Sequence, residues 1–433
     1  MSIQGLPGFR DFYPAELAIR SHVFGAMRRV ALRYGFEEYD GPPLESLELY
    51  TQKSGDEIVG QLYSFVDKGG RDVALRPEMT PTLARMVGPK VAALKKPIRW
   101  FSIPQLFRYE RQQRGRLREH FQLNCDLIGE AGPLADAEIV ALSIDVMREL
   151  GLGPADVRVR ISDRRLLTGL LSEIGLLDGQ VALAFQALDK LGRSEYGPRR
   201  RALLAAGATD AQIARLETLP GIRVWADLER DFPAAAGHGQ ALAETLGALT
   251  AMGLADFVDL DLTIVRGLAY YTGTVFELFD AERTLRAICG GGRYDGLLEA
   301  IGGVRAPALG FGMGDVVLTE LLRDRGRLPG PAPSADVFVA LISADDRPFV
   351  LGLVHTLRDQ GFRVEYSFGE PALGKQFKQA DARGARLVVV VGPDDRSRGE
   401  VVVKDLVDGA QRSVPTPELV GVLIAKGCRQ LSR

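Results

Sequence analysis

Hydrophobic positions recur along the chain at two spacings, and the alternation between them predicts its elements. Residues 16–36 carry apolar side chains three and four apart and end near Gly35, which predicts an amphipathic helix. Residues 98–110 and 119–130 alternate apolar and polar side chains, as strands do, and the charged segment between them predicts a hairpin with a long loop. The run 133–150 returns to helical spacing. The first third of the chain therefore mixes helices with strands that pair as hairpins.

The pattern changes near residue 173 and again near residue 327. Residues 173–250 form Ala- and Leu-rich helical patterns without a polar motif, which predicts a helical insertion between a first part, 1–172, and a second part, 251–326. Residues 327–335 are rich in Pro and Gly and predict a linker. Beyond it, 336–433 alternates strand and helix patterns, which predicts a compact α/β domain with a mostly parallel sheet.

Composition narrows the class of protein. The net charge of −2 means that a nucleic-acid partner would have to be bound by local basic patches and not by the whole surface. Three scattered cysteines and four histidines predict neither a disulfide framework nor a zinc site. The start of the chain lacks the pattern of a secretory signal, and the apolar runs are far shorter than the roughly 20 residues of a membrane span. We therefore expect a cytoplasmic protein without a membrane partner.

The loop of the predicted hairpin is rich in arginine. Five arginines lie within eleven residues: Arg108, Arg111, Arg114, Arg116 and Arg118. Guanidinium forks bind phosphate oxygens in pairs, and the interspersed Glu110 and Glu119 would hold the forks apart. The segment is thus a candidate phosphate site, although a charged loop that is merely solvated is the alternative.

Polar residues within apolar segments indicate a site for a small zwitterion. Glu78 and Thr80 lie where a strand passes into a helix; a carboxylate and a hydroxyl suit an ammonium group, but Glu78 could simply pair with Arg76. Gln122 and Asp126 lie four residues apart in a strand and so share one face. A buried aspartate needs a partner, so a structural hydrogen bond is the alternative for Asp126.

Two further segments carry candidate chemistry. The run Thr263–Asp280, TIVRGLAYYTGTVFELFD, alternates like a strand and places Arg266 between apolar flanks, where burial is costly unless the charge meets an anion. Residues 289–296, CGGGRYDG, predict a glycine-rich turn that brings the backbone close to a ligand. This turn matches neither the P-loop nor the dinucleotide-binding pattern.

The order of six stretches resembles the histidyl-tRNA synthetase family. They read GLPGFRDFYP, LRPEMTPTLAR, FRYERQQRGRLREHFQLNCDLIG, VRGLAYYTGTVFE, ICGGGRYDGL and ALGFGMG, and VRGLAYYTG and GGGRYDGL are the most specific. The resemblance covers nearly the whole chain. It implies an α+β class II aminoacyl-tRNA synthetase: an antiparallel sheet with flanking helices, a helical insertion, a C-terminal α/β anticodon-binding domain, and a homodimer. The implied reaction activates L-histidine with ATP and Mg²⁺ and transfers it to the 3′ end of tRNA(His).

The resemblance also implies roles for residues of the amino-acid site. Glu78, Thr80 and Gln122 would hold the α-amino group of histidine. Asp126 and Tyr271 would bind the two nitrogens of its imidazole ring. Tyr270, next to Tyr271, would belong to the same site.

The resemblance assigns a second set of residues to ATP. Arg108 and Arg266 would contact the α-phosphate and the histidine carboxylate and would be the catalytic pair. Glu110 and Arg116 would lie on the nucleotide. Either Phe121 or His120 would stack on adenine. No protein nucleophile is implied, because aligned reactants and fixed positive charge suffice.

Three positions depart from the family pattern. Ala269 stands where many bacterial relatives have aspartate, and Asp126 replaces a longer glutamate. Val317 stands where class II enzymes usually carry an arginine near the nucleotide. A branch of the family that includes plant organellar forms shares this pattern, so the enzyme need not be inactive. Arg286 and Arg293, which flank the glycine-rich segment, are candidate substitutes.

Contacts with tRNA and the competing function are the last expectations. Lys375 and Lys378 lie on a predicted helix of the tail and are candidates for the anticodon stem-loop, while Gln112 and Gln113 are candidates for the acceptor end. Solvated side chains are the alternative for all four. The competing function is a histidine-sensing paralogue such as the regulatory subunit of ATP phosphoribosyltransferase. The arginines of the hairpin, Arg266 and the full tail argue against it.

Overall fold

The structure, a computed structural model, describes residues 3–51, 60–111, 113, 115–191, 195–265, 271–330, 333–369, 371–428 and 430. These residues form two compact units, Met1–Leu328 and Pro329–Arg433. The finer division of the chain into two core parts, an insertion and a linker stays a prediction.

The first unit contains thirteen α-helices and twelve strands in the described residues. The helices are α1 (Pro14–Arg33), α2 (Leu47–Thr51), α3 (Thr80–Val87), α4 (Pro133–Glu149), α5 (Arg164–Ile174), α6 (Asp178–Lys190), α7 (Tyr196–Ala205), α8 (Asp210–Thr218), α9 (Trp225–Asp231), α10 (Pro233–Ala236), α11 (Gln240–Ala251), α12 (Leu297–Gly302) and α13 (Asp315–Asp324). The strands are β1 (Glu37–Glu38), β2 (Leu44–Ser46), β3 (Ser64–Val66), β4 (Asp72–Leu75), β5 (Ile98–Ser102), β6 (Gln105–Phe107), β7 (Glu119–Ile128), β8 (Val157–Asp163), β9 (Val258–Leu260), β10 (Thr274–Asp280), β11 (Cys289–Arg293) and β12 (Ala308–Gly314).

A large, mainly antiparallel sheet organises this unit. Its strand order is β1-β5-β7-β12-β11-β10-β8-β9, with β6 paired to β7. Among the described strands of this sheet, only the outermost pairs, β1 with β5 and β8 with β9, are parallel. A smaller sheet has the order β2-β4-β3. The predicted antiparallel sheet with flanking helices, and with it the α+β class, is confirmed.

Strand β7 shows how the sequence pattern positions one wall of a site. Leu123, Cys125 and Leu127 are buried in the main core, which also contains residues of α1 and α4. Successive side chains of a strand point to opposite faces, so the even-numbered residues face away from that core. The predicted hairpin is confirmed as well, because β6 and β7 pair antiparallel across the charged loop.

Helices α6 to α11 occupy the stretch 173–250 that was predicted as helical, and α5 leads into it. Helix α5 begins after Asp163, whose side chain accepts hydrogen bonds from the backbone nitrogens of Arg165 and Leu166 and so caps the helix. The buried leucines and alanines of these helices are part of the main core. In the described part of the chain, no single helix is long and apolar enough to cross a membrane, and α5 and α6 meet that test only as a pair bent by 115°.

Two predictions about the second half of this unit were wrong. Residues 289–293 form strand β11 and not a turn, because the main chain pairs with β10 on one side and β12 on the other, which overrides the weak strand propensity of glycine. The alternation from Thr263 to Asp280 is not one strand either. Strand β10 begins only at Thr274, and residues 263–265 are irregular.

The second unit is an α/β domain. Its strands are β13 (Val337–Leu341), β14 (Val364–Tyr366), β15 (Leu387–Val391), β16 (Glu400–Asp405) and β17 (Gln411–Pro415), and its helices are α14 (Arg347–Asp359), α15 (Leu373–Ala382), α16 (Pro393–Ser397) and α17 (Leu419–Ala425). The strand order is β14-β13-β15-β16-β17, and in the described part of this unit only the pairs that β13 forms are parallel. The prediction of a mostly parallel sheet was therefore right for the two pairs of β13 and wrong for the two pairs of β16. The short connections on either side of β16 can join only antiparallel neighbours, because a parallel crossover needs a dozen or more residues.

Candidate active site

A cavity of about 360 Å³ lies on the face of the large sheet opposite to its main core. Strands β7, β10, β11 and β12 supply its wall, and the beginning of α3, the arginine-rich hairpin and the beginning of α13 complete it. Most residues that the sequence marked as candidate ligands lie here. The cavity thus brings together segments that are separated by more than two hundred residues in the chain.

The even-numbered residues of β7 form one wall of the cavity. Gln122, Asn124 and Asp126 all line it, as the period-two pattern predicted for the first and the last of them. Room for these side chains comes from the glycines of the neighbouring strand. A Cβ atom at Gly310 would lie 2.5 Å from Oδ1 of Asp126, and one at Gly312 would lie 2.6 Å from Cδ of Gln122. Glycine is therefore required at these alternate positions of β12, because the side chains of β7 approach its main chain closely.

The carboxyl group of Asp126 is strongly perturbed by its position in the cavity. It is buried, and Tyr294 donates a hydrogen bond to its Oδ1. Its Oδ2 has no hydrogen-bond partner among the residues that the structure describes. Burial raises the pKa of Asp126 from 3.8 to about 7, and the hydrogen bond from Tyr294 opposes part of that rise. The free oxygen is therefore a ready acceptor for a donor that enters the cavity.

Glu78 and Thr80 lie at the start of α3. Both side chains are half-buried and line the cavity. Arg76, the alternative partner considered for Glu78, is occupied elsewhere: its Nη1 donates to Oδ1 of Asp40 and to the carbonyl of Gly41, both at 2.7 Å. The carboxylate and the hydroxyl of Glu78 and Thr80 are thus displayed together, as the sequence predicted.

The segment that contains the two tyrosines is described in part. Tyr271 lines the cavity and packs against β11, where a Cβ atom at Gly292 would lie 3.0 Å from its ring. Arg266 and Tyr270, which were predicted to be site residues, and the departure Ala269 lie outside the described residues. Their roles stay predictions.

The hairpin contributes positive charge in two different settings. Arg108, Glu110 and Arg116 line the cavity. Glu110 is buried and pairs with Nε of Arg116, whereas Nε of Arg108 donates to the carbonyl of Pro77 at 2.9 Å, which aims this arginine at the segment next to Glu78. Arg108 therefore retains its charge for an anion, and Arg116 shares its charge with a carboxylate.

The assignment of Phe121 to the nucleotide was wrong. Its ring packs against Phe12 and Phe24 on the other face of β7, with ring centroids 6.2 and 5.3 Å away. His120 lines the cavity instead. Burial lowers the pKa of His120 to about 3, and neighbouring arginines, first among them Arg108, add to the effect. The geometry therefore permits His120, with its uncharged flat ring, to stack on adenine.

The proposed substitution of Arg293 for the missing arginine was also wrong. Arg293 is buried, and its Nη2 donates to Oδ2 of Asp136 at 2.6 Å while its Nη1 donates to the carbonyl of Glu130. These contacts tie β11 to α4 on the side away from the cavity. The other candidate, Arg286, does line the cavity, and so does Val317.

Comparison with known proteins agrees with this geometry. A family model described as histidyl-tRNA synthetase matches residues 8–315, and one described as anticodon binding domain matches residues 336–426. The chain belongs to the histidyl-tRNA synthetase family. Relatives named histidine–tRNA ligase are 45% identical in Opitutus terrae, over 96% of this chain and 97% of that protein, and 40% identical in Haloarcula marismortui, over 96% of each. A chloroplastic/mitochondrial histidine–tRNA ligase of Arabidopsis thaliana is 38% identical over 95% of this chain and 85% of that protein.

Solved structures support the same conclusion. The histidyl-tRNA synthetase of Nostoc sp. PCC 7120 superposes with a TM-score of 0.84 at 25% identity, over 98% of this chain and all of that one. A Bacillus halodurans protein described as an ATP phosphoribosyltransferase regulatory subunit/histidyl-tRNA synthetase reaches 0.75 at 23% identity over 90% of this chain and 99% of that one, which shows the fold alone. The predicted family and class II fold are confirmed, and the chain is an aminoacyl-tRNA ligase.

Sequence reasoning missed three hydrogen-bonding side chains of the cavity in this family member: Asn124, Glu277 and Tyr294. Asn124 has the same parity as Gln122 and Asp126, so the strand pattern could have found it. Glu277 and Tyr294 could not be found in this way, because Glu277 lies in β10 and Tyr294 directly after β11, and only the fold brings them to the same cavity as β7.

The predicted tRNA contacts stay predictions. Lys375 and Lys378 are both exposed on α15 of the second unit. Gln113 is exposed on the hairpin, where its side chain accepts a hydrogen bond from Arg286, and Gln112 lies outside the described residues. The geometry leaves the two lysines accessible and gives Gln113 a partner within the chain.

Proposed function

We propose that the chain activates L-histidine with ATP to form histidyl adenylate and then transfers histidine to the 3′ end of tRNA(His). The observation that carries this proposal is a single cavity that holds two kinds of group. Glu78, Thr80, Gln122 and Asp126 suit a small zwitterion with a polar side chain, and Arg108 lies beside them with its charge available for an anion. A histidine-sensing protein would need only the first kind.

Histidine occupies the part of the cavity between α3 and β7. Glu78, Thr80 and Gln122 hold its ammonium group, since they offer a carboxylate, a hydroxyl and an amide oxygen. The free oxygen of Asp126 accepts the N–H of the imidazole, and Tyr271 serves the other ring nitrogen. An analogue that lacks either polar group leaves buried partners unpaired, and sites of this kind discriminate by about 10⁴–10⁵ without editing.

The nucleotide lies toward the hairpin. Arg108 and Arg266 contact the α-phosphate and the histidine carboxylate, and they stabilise the charge that develops when the carboxylate attacks. Glu110 and Arg116 position the nucleotide, and His120 offers its neutral ring to adenine. ATP would bind as its Mg²⁺ complex. Glu110 and Glu277 line the cavity and would supply oxygen donors of the kind that this ion prefers.

The transfer step requires tRNA, and the second unit is the matching domain. Exposed Lys375 and Lys378 contact phosphates of the anticodon stem-loop, and Gln113 approaches the acceptor end. We extend the proposal to a cytoplasmic homodimer, which light scattering on the purified protein would test.

The experiment that tests the function is amino-acid-dependent ATP–pyrophosphate exchange, with each of the twenty amino acids offered separately. Exchange with histidine alone supports the proposal and shows that Val317 is tolerated. Binding of histidine without exchange would instead favour the regulatory paralogue. Exchange that follows another amino acid would refute the assignment of Asp126 and Tyr271.

A further inference from the structure

Three arginines of the described chain line the cavity, and they differ in how their charge is used. Arg116 is neutralised by Glu110. Arg108 is anchored on the carbonyl of Pro77, next to the zwitterion site. Arg286 belongs to the segment between β10 and β11, and it forms no ion pair with any described residue. The mechanism proposed above gives Arg286 no role.

Arg286 is nevertheless held in a defined position. Its Nη2 donates to the side-chain oxygen of Gln113, a neutral acceptor, so the hydrogen bond orients the guanidinium without removing its charge. A Cβ atom at Gly115 would lie 3.8 Å from Cδ of Arg286 and 3.2 Å from Cγ2 of Val317. The arginine thus lies beside the turn of the hairpin, close to the apolar side chain that stands at the start of α13.

We propose that Arg286 binds the phosphate groups of ATP beyond the α-phosphate. The inference rests on the proposed function and concerns the same site. The α-phosphate must meet the histidine carboxylate, so it lies at the end of the cavity where Arg108 is anchored beside Glu78. Arg286 is anchored at the hairpin turn instead, where its guanidinium can bind the rest of the triphosphate. Val317 cannot supply that charge, and Arg293 is committed to Asp136.

The test is equilibrium binding of Mg-ATP and of AMP to the full chain and to two variants. Arg286→Ala removes the guanidinium from an exposed position, and an unchanged thermal transition verifies the fold. Arg283→Ala is the matched control, since Arg283 is in the same segment but does not line the cavity and lies over the ring of Phe279. We expect ATP to bind about 10- to 100-fold more weakly to Arg286→Ala, as for loss of a charged hydrogen bond, and AMP to be affected less than twofold.

Two further variants sharpen the assignment. Arg286→Lys keeps the charge but loses the fork, so its ATP affinity should lie between those of the wild type and Arg286→Ala. Gln113→Ala removes the acceptor that orients Arg286, and it should weaken ATP binding in the same direction by less. Gln113→Ala should have no additional effect in the Arg286→Ala background, because the two side chains act through one contact.

The outcomes separate this inference from the proposed function. Unchanged ATP affinity in Arg286→Ala would overturn the inference, and so would an equal loss for AMP, because the contact would then lie on the nucleoside or the α-phosphate. The function is judged independently by histidine-dependent exchange in the wild type. A wild type that binds ATP through Arg286 but shows no exchange would refute the function alone.

Discussion

Replacing Asp126 by asparagine should weaken histidine binding and at the same time stabilise the folded protein at alkaline pH. The side chain is buried, and its Oδ2 has no hydrogen-bond partner among the described residues. Above its raised pKa the empty site therefore holds a negative charge that is poorly compensated. Asparagine has nearly the same shape and stays neutral, so it removes this charge without leaving a hole.

The size of the effect follows from the raised pKa. The folded-state pKa of about 7 exceeds the ordinary 3.8, so the folded protein binds more protons than the unfolded chain, and stability falls as the pH rises from about 4 to 7. The free-energy cost works out at about 1.7 kcal/mol at pH 5 and about 4 kcal/mol at pH 8, taking 1.36 kcal/mol per pKa unit. The stability difference between Asp126→Asn and wild type should thus grow by about 2–3 kcal/mol between these pH values.

The assay is urea unfolding of both proteins at pH 5 and pH 8 without ligands. Groups other than Asp126 titrate equally in both proteins and cancel in the double difference. The transition of the first unit must be followed separately, because two units need not unfold in one step. A difference that does not change between the two pH values would refute the reasoning, and so would a variant that is less stable at pH 8 than at pH 5 relative to wild type.

The same variant tests the function of the carboxylate. Loss of a hydrogen bond to a charged acceptor should raise KM for histidine about 10- to 100-fold in pyrophosphate exchange, with KM for ATP changed less than twofold. Equal weakening of both substrates would mean that Asp126 is structural. A gain in stability with a loss of affinity would show that the site keeps a destabilising charge for the sake of its ligand.

Three other substitutions probe the surroundings of this site. Tyr294→Phe removes the hydrogen bond that lowers the pKa of Asp126, so histidine affinity should fall. The pH dependence of that affinity, measured from pH 6 to 9, should move to higher pH. An unshifted profile would contradict the coupling between Tyr294 and the pKa of Asp126. Gly312→Ala should displace the Gln122 side chain and raise KM for histidine at least tenfold, while the urea midpoint changes little; an unaffected KM would show that the close approach is not needed. Arg293→Ala should lower the free energy of unfolding in urea by about 3–5 kcal/mol, because its buried carboxylate partner is left unpaired. It should leave KM for ATP within twofold. A large rise in that KM would mean that Arg293 does belong to the nucleotide site.

The two corrections on β7 and β11 show different reasons for failure. Strand parity already placed His120 on the face of Gln122, Asn124 and Asp126, so the choice of Phe121 neglected a signal that the sequence contained. The role of Arg293 was not readable in this way. Its partner Asp136 lies 157 residues away, and no local spacing indicates that a helix and a strand so far apart meet.

The sequence by itself determined the local elements and the chemistry that each one displays. Period-two alternation placed Gln122 and Asp126 on one face of β7, because such a pattern depends on neighbouring residues only. The order of the motifs along the chain indicated the family. The tertiary structure alone decided which arginine faces the cavity, that the glycine run is a paired strand, and that Tyr294 reaches Asp126. Those outcomes depend on pairing between distant segments, where burial and hydrogen bonding are settled only when the whole sheet has formed.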